Sequence, residues 1–237
     1  MKKLILCALL IASGMVCRAQ MADVSKPKAL LAGVQSNMYN PVLSEDGTKL
    51  LFSASDFTDL RMYDFNNNVT VAVEATRQKA FKAHFKANKL SFGTSGARTD
   101  GKSLYITVDG VEKACRPVEG SNGYCWGKMS PDGTKVVFLA AGKGLYVADI
   151  NGDVIAALGN YSAPVWFGNS HLVGENSTDD GHQYHSSQIL LLDLDGNSQQ
   201  LTRPESMSMS PAAAIDANRV VYTTVDGRLY ELTVTLK

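Results

Sequence analysis

Apolar and polar residues alternate along most of the chain in short runs, and each run stops at a turn signal. After Asp46-Gly47 the chain reads "TKLLFSAS", then "DLRMYDF", then "NVTVAVEA". After Asp132-Gly133 it reads "TKVVFLAA", then "KGLYVADI", then "GDVIAALG". A period of two, with β-branched residues and short spacing between turns, predicts strands rather than helices. Asp-Gly pairs suit tight turns, because Gly tolerates positive φ and Asp bonds its own backbone. The stretch "LSEDGTKLLF" (Leu43 to Phe52) returns almost unchanged as "MSPDGTKVVF" (Met129 to Phe138). One unit therefore predicts four strands in a meander.

The separation of the two copies leaves room for one more unit between them, given a propeller blade of about 40–45 residues. "HFKANKLSF" (His84 to Phe92), "KSLYITVDG" and "VEKACRPV" fill it. Two weaker units follow: "PVWFGNSHLVGEN" with "ILLLDLDG" and "NSQQLTR", and "PAAAIDANRVVYT" with "RLYELTVTL". Aligning the five places Pro41, Lys82, Gly127, Pro164 and Pro211 in one column, with blades starting near 38, 79, 124, 161 and 208. The last unit ends one strand short, and "PKALLAGV" (Pro27 to Val34) is a spare strand ahead of the first. Joining the two closes a ring and removes a free sheet edge. The expected fold is all-β: a single five-bladed β-propeller over residues 20–237, closed by an N-terminal strand at 27–34 joining the C-terminal blade.

The "SPDGTK" turn followed by "VVFLA" and "LYVADINGD" resembles the WD-like repeat of TolB-type periplasmic propellers. The resemblance covers Met38 to Glu74 and Tyr124 to Asn160 and implies the fold and a binding-platform role by analogy. The chain departs from TolB in lacking an amino-terminal α/β domain, and from exported peptidases with similar repeats in lacking a hydrolase domain.

The first residues, "MKKLILCALLIASGMVCRAQ", have the layout of a secretory signal: Lys2 and Lys3, an apolar run to Val16, and Cys17-Arg18-Ala19 before Gln20. The run is shorter than the roughly 20 apolar residues of a transmembrane span. A lipoprotein reading through Cys17 is weakened by Val16, where such signals carry a small residue. Residues 1–19 are thus read as a signal peptide, and the mature chain as a monomeric periplasmic or secreted protein without a transmembrane segment. With 23 basic and 23 acidic residues the net charge is zero, which argues against a nucleic-acid partner. Cys115 and Cys125, ten positions apart in an oxidising compartment, are either a disulfide or two buried thiols.

Candidate ligand-binding residues lie on the face carrying the longer loops. "NSTDDGHQYHSS" (Asn176 to Ser187) brings Asp179, Asp180, His182 and His185 together, which is carboxylate and imidazole chemistry. A solvated polar loop explains the same residues without a metal. Arg98 and Lys102 in "TSGARTDGKS" offer a basic rim, or the solvated side of a strand. Trp126 and Trp166, near innermost strands, suit ligand stacking in a channel or packing between blades. No G-x-S-x-G elbow occurs, "GTSGA" being similar only in composition. No catalytic residue, metal site or cofactor is assigned. The leading reading is a protein- or peptide-binding platform in the cell envelope. The alternatives are a glycan-active hydrolase or lyase with its site in the central funnel, and a small-molecule or ion-binding propeller. Intact-mass measurement of the exported protein should give a chain beginning at Gln20; a retained leader, or a lipid on Cys17, contradicts the soluble periplasmic assignment.

Overall fold

The computed structural model describes residues 20–33, 37–73 and 95–237. The expected leader at 1–19, Val34 of the expected closing strand and the His84 to Phe92 segment lie outside the described residues. Two short strands come first, β1 (Ala22–Val24) and β2 (Lys28–Ala29). The first sheet is β3 (Tyr39–Leu43), β4 (Lys49–Ser53), β5 (Arg61–Asp64) and β6 (Val69–Ala72). The second contains β7 (Gly96–Thr99), β8 (Leu104–Val108) and β9 (Val111–Cys115). The third is β10 (Tyr124–Met129), β11 (Lys135–Ala140), β12 (Gly144–Asp149) and β13 (Val154–Gly159). The fourth is β14 (Ser162–Phe167), β15 (His171–Asp179), β16 (Tyr184–Asp193) and β17 (Ser198–Gln200). The fifth joins β18 (Ser208–Ala214), β19 (Arg219–Thr224) and β20 (Leu229–Leu236) to β1 and β2. Each sheet is an antiparallel meander, and together they form a propeller-like arrangement with no α-helix among the described residues.

The repeated turn is a local hydrogen-bond set. Ser44 Oγ donates to Asp46 Oδ1 at 2.6 Å, the Thr48 N–H donates to the same oxygen at 3.0 Å, and the Lys49 N–H donates to Ser44 Oγ at 2.9 Å. Ser130, Asp132, Thr134 and Lys135 repeat it at 2.6, 3.1 and 3.0 Å. Gly47 completes the first copy with φ +65, and a Cβ there would meet Ala217 Cβ at 2.5 Å. The turn thus needs Gly twice over, for its backbone angle and for its contact with the fifth sheet.

Second strands such as β11 and β19 carry consecutive apolar residues because both their faces are covered. On β11, Val136 and Phe138 pack toward the second sheet with Leu104, Ile106 and Tyr124, whereas Val137 packs toward the fourth with Trp166 and Leu172. On β19, Val220 and Tyr222 meet Val173 and Ile189 of the fourth sheet, while Val221 meets Leu50 and Phe52 of the first. Among the described residues, four apolar wedges between sheets arise from this alternation.

In the second sheet, the described strands occupy the second to fourth positions. The Tyr124 N–H donates to Gly101 O in the β7–β8 turn at 3.4 Å. The Met38 N–H donates in the same way to Gly227 O in the β19–β20 turn at 2.9 Å. The β7–β8 turn is therefore the counterpart of β19–β20, a second-to-third connection.

The N-terminal segment pairs with the last strand, but its register differs from the expected 27–34. Ala22, Asp23 and Val24 pair with Leu236, Thr235 and Val234, and Lys28 and Ala29 pair with Glu231 and Tyr230. The Ser25 N–H donates to Thr233 O at 2.9 Å between the two strands, and Leu30 N–H donates to Leu229 O at 2.9 Å. Leu31 then leaves the strand with φ 52. Ala22 is fully buried, and Gln199 of β17 clamps it by accepting from its N–H at 2.9 Å and donating to its carbonyl at 2.8 Å. The physical reason for the earlier start is this side-chain clamp, which pairing patterns do not reveal. Ala22→Asp places an unpaired charge in that core, a fault that costs about 3–5 kcal/mol, and should lower the melting temperature by roughly 10 °C. An unchanged melting temperature would mean that the segment does not hold the fifth sheet.

Candidate functional site

Each of the four described innermost strands carries one non-glycine residue in the left-handed region: Asn40 (φ 54), Trp126 (φ 54), Ala163 (φ 46) and Ser210 (φ 51). Each sits at a register shift in its pairing with the second strand. The next residue is Pro41, Gly127, Pro164 or Pro211, the column that aligns the repeats. Proline has no N–H to contribute to a ladder, so it suits the residue that a bulge leaves unpaired. A left-handed non-glycine residue costs on the order of 1–3 kcal/mol, and here the repeat imposes it around one axis. The bulge turns the strand and aims its next residues at a shared central space.

That space is a funnel of about 700 Å³. Its wall comes from β3, β10, β14 and β18, with Val42, Met129, Val165 and Met209 among the apolar members. Trp126 and Trp166, the chain's two tryptophans, both line it. Trp166 is 9 % exposed and also packs in the wedge between the third and fourth sheets. Its indole thus packs between the two sheets and also borders the funnel.

Two charges enter the wall. Lys128 follows the bulge on β10, and its Nζ donates to Pro164 O at 2.8 Å, while Trp166 Nε1 donates to Lys128 O at 3.0 Å. This reciprocal pair ties β10 to β14. Lys128 is half-buried, and burial of its ammonium lowers its pKa to about 8. Glu175 on β15 is 7 % exposed, and its Oε2 accepts from the Ser210 N–H at 2.9 Å. Burial raises the Glu175 pKa, against the hydrogen bonds from Ser210 and Ser177. No carboxylate forms an ion pair with Lys128 among the described residues.

The remaining sequence-predicted residues are placed differently. Asn176 to Ser187 is not a loop: β15 and β16 pair from Asn176↔Gln188 to Asp179↔Tyr184, leaving only residues 180–183 at the tip. Ser177, Asp179 and Tyr184 of this hairpin reach the funnel. At the tip, Asp180 Oδ1 accepts from the N–H groups of His182 and Gln183, both at 2.9 Å, and its Oδ2 lies 3.3 Å from His185 Nε2. These bonds, with Gln183 first, hold the Asp180 carboxyl below the usual range. No group of three or more His, Cys, Asp or Glu side chains suited to a metal ion occurs among the described residues.

Arg98 does not form a basic rim. It pairs with Glu112 on β9, its Nε 2.8 Å from Oε2, and lies 3.7 Å over the Tyr105 ring. That pair, strongest of its influences, raises the Arg98 pKa. Lys102 is exposed in the β7–β8 turn, away from the funnel lining. Cys115 and Cys125 are separate free thiols, the disulfide not being formed. Cys115 ends β9 with its Sγ near Gly152 of the third sheet, and Cys125 pairs with Leu139.

Sequence reasoning missed Lys128 and Glu175, although the repeat marks the first. The position after the aligned column holds Val42, Ala83, Lys128, Val165 and Ala212, so one charge interrupts a set of aliphatics.

No protein-family model matches the chain, and a search of curated proteins finds no relative. Among solved structures, the chain is similar to TolB from Acinetobacter baumannii at 14 % identity and TM-score 0.36, covering 84 % of this chain and 55 % of that one. It is also similar to the Cps50 (Swd1) β-propeller domain of Myceliophteria thermophila at 9 % identity and TM-score 0.48, covering 90 % and 100 %. A third is the β-propeller domain of the Trilobed protease from Pyrococcus furiosus, at 11 % identity and TM-score 0.43, covering 86 % and 72 %.

The lowered Lys128 pKa has a stability consequence. Below pH 8 both folded and unfolded chains carry the charge, and the folded state bears its full desolvation cost. Between about 8 and the ordinary 10.5 the folded state has released the proton while the unfolded state keeps it, so stability rises with pH there. The span corresponds to at most about 3 kcal/mol, less because the stem is partly solvated. Lys128→Met should therefore melt a few degrees above the wild type at pH 7, with the advantage shrinking toward pH 10. Differential scanning fluorimetry across that range tests it; a variant less stable at pH 7 by the same margin would show that the Pro164 bond outweighs the buried charge.

Proposed function

We propose that the protein is an exported five-bladed β-propeller, sealed by its N-terminal segment, that binds a protein or peptide partner at the mouth of the central funnel. The observation that carries this reading is the funnel lining: tryptophan, methionine, valine and proline on four consecutive innermost strands, beside a hairpin whose Tyr184 is 44 % exposed. Aromatic and methionine side chains on a concave surface are the composition of a partner site rather than of a solvated channel. A ring of five units explains why the fifth sheet contacts the first as the third contacts the fourth. Thr223 Oγ1 donates to Met38 O at 2.7 Å across one joint, and Lys128 donates to Pro164 O across the other. In this reading residues 1–19 are removed on export, and β1 starts two residues beyond the new terminus, in the periplasm or outside the cell.

A glycan-active enzyme is the second reading, favoured by the buried Glu175 carboxyl, whose raised pKa suits a general acid. Its obvious companion is Asp179, four residues along the same face of β15, hence about 13 Å away along the strand. Paired glycosidase carboxyls stand about 5–9.5 Å apart, so this pair supports binding better than hydrolysis.

Capture from the native cell envelope tests the proposal. The mature chain should retain a partner that Met209→Glu and Tyr184→Ala variants of unchanged melting temperature lose at least tenfold. Equal capture by all three chains would move the contact off the funnel, and absence of any retained partner would remove the reading.

A further inference from the structure

We propose that the funnel recognises a carboxylate, and specifically the free C-terminal carboxylate of a peptide with an apolar last residue, through the Lys128 ammonium. The inference rests on the peptide-binding reading and names what the same site selects. An ammonium has three N–H donors. At Lys128 one donor is taken by Pro164 O, and no other acceptor for this group occurs among the described residues. Lys128 lines the funnel beside two indoles and aliphatic side chains, and its ammonium, still charged at neutral pH, is left with donor capacity there. A neutral side chain serves a purely structural position at lower cost, and the aligned strands place Val42, Val165 and Ala212 there.

The counter-charge is not supplied from within. Glu175, the other charged group deep in the wall, is occupied by the Ser210 N–H and by Ser177, and it forms no ion pair with Lys128. An incoming carboxylate would pair with Lys128, the one cation among the lining residues. A phosphate or sulfate ester fits less well. The lining contains no arginine fork for bidentate binding, and Glu175 and Asp179 oppose each added negative charge, so a singly charged ligand is opposed less than a doubly charged one. The same two acids disfavour Asp or Glu beside the ligand's terminus. Met129, Val42 and Val165 give the last side chain an apolar seat, and a funnel of about 700 Å³ accommodates the end of an extended chain. Pro164 O holds the Lys128 ammonium and the Trp166 indole holds the Lys128 carbonyl, so the recognising group is positioned before the ligand arrives.

The test uses the chain's own fluorescence, because both of its tryptophans line the funnel. Acetyl-Ala-Ala-Leu as free acid and as C-terminal amide are titrated into the mature protein. The acid should give a saturable emission change, with affinity roughly 10–100-fold above that of the amide, the range for a hydrogen bond to a charged group. Sodium acetate should compete with it, whereas sodium chloride at equal ionic strength should not. Lys128→Met should abolish the preference for acid over amide; the acetate competition carries the same test in the wild type if that variant does not fold. Equal binding of acid and amide would overturn the carboxylate inference and leave peptide binding standing. A preference that survives Lys128→Met would overturn the assignment to this residue. No response to either peptide would overturn the inference, with envelope capture then deciding the broader reading independently.

Discussion

The pairing of β20 on both of its edges is the constraint on which the rest of the molecule depends. On one side it continues the meander from β19, and on the other it takes the N-terminal segment as β1 and β2. Each sheet alone is too small to bury both faces, and its strands are apolar on both. A wedge of side chains between neighbours resolves this only if every sheet has a neighbour on each side. Residues at the two ends of the chain therefore have to meet. The Gln199 clamp on Ala22 and the contact of Lys237 Nζ with Asp23 at 3.0 Å fix where they do so. In the proposed ring, the funnel exists because that closure holds the innermost strands around one axis.

The funnel in turn concentrates the unfavourable features of the structure. Four left-handed residues, one buried ammonium and one buried carboxyl lie on or beside the innermost strands. The strands behind them, such as β11 and β19, are almost wholly buried. Stability resides in the wedges, and the axis carries groups that weaken it. That division is the expected one where a site is held by a scaffold rather than contributing to it.

How much of this is legible in the sequence depends on how local each feature is. The Ser-x-Asp-Gly-Thr-Lys turn is closed by bonds among residues within five positions, so its two copies announce the repeat. The proline column is visible for a similar reason, since three of the four described bulges place proline, which has no N–H donor, after the left-handed residue. The N-terminal strand is expected too late because β1 has three residues and its decisive partner, Gln199, is 177 positions away. The β15–β16 hairpin reads as a loop because "NSTDDGHQYHSS" stands clear of the wedges and has no apolar alternation to display. Arg98 reads as a free cation because Glu112 and Tyr105, which hold it, come from neighbouring strands. Lys128 and Glu175 belong to no local motif, and only the fold brings them to the funnel wall.

Native-state hydrogen exchange measures the closure most directly. The amides of Ala22, Ser25 and Leu30 donate to Gln199 Oε1, Thr233 O and Leu229 O respectively. If the N-terminal segment seals the fold, these three should exchange only through global unfolding, with the same protection free energy as the amides of β19. Exchange of the three at a much lower free energy, while β19 stays fully protected, would mean that the segment detaches from an otherwise intact molecule, and the closed ring would be contradicted.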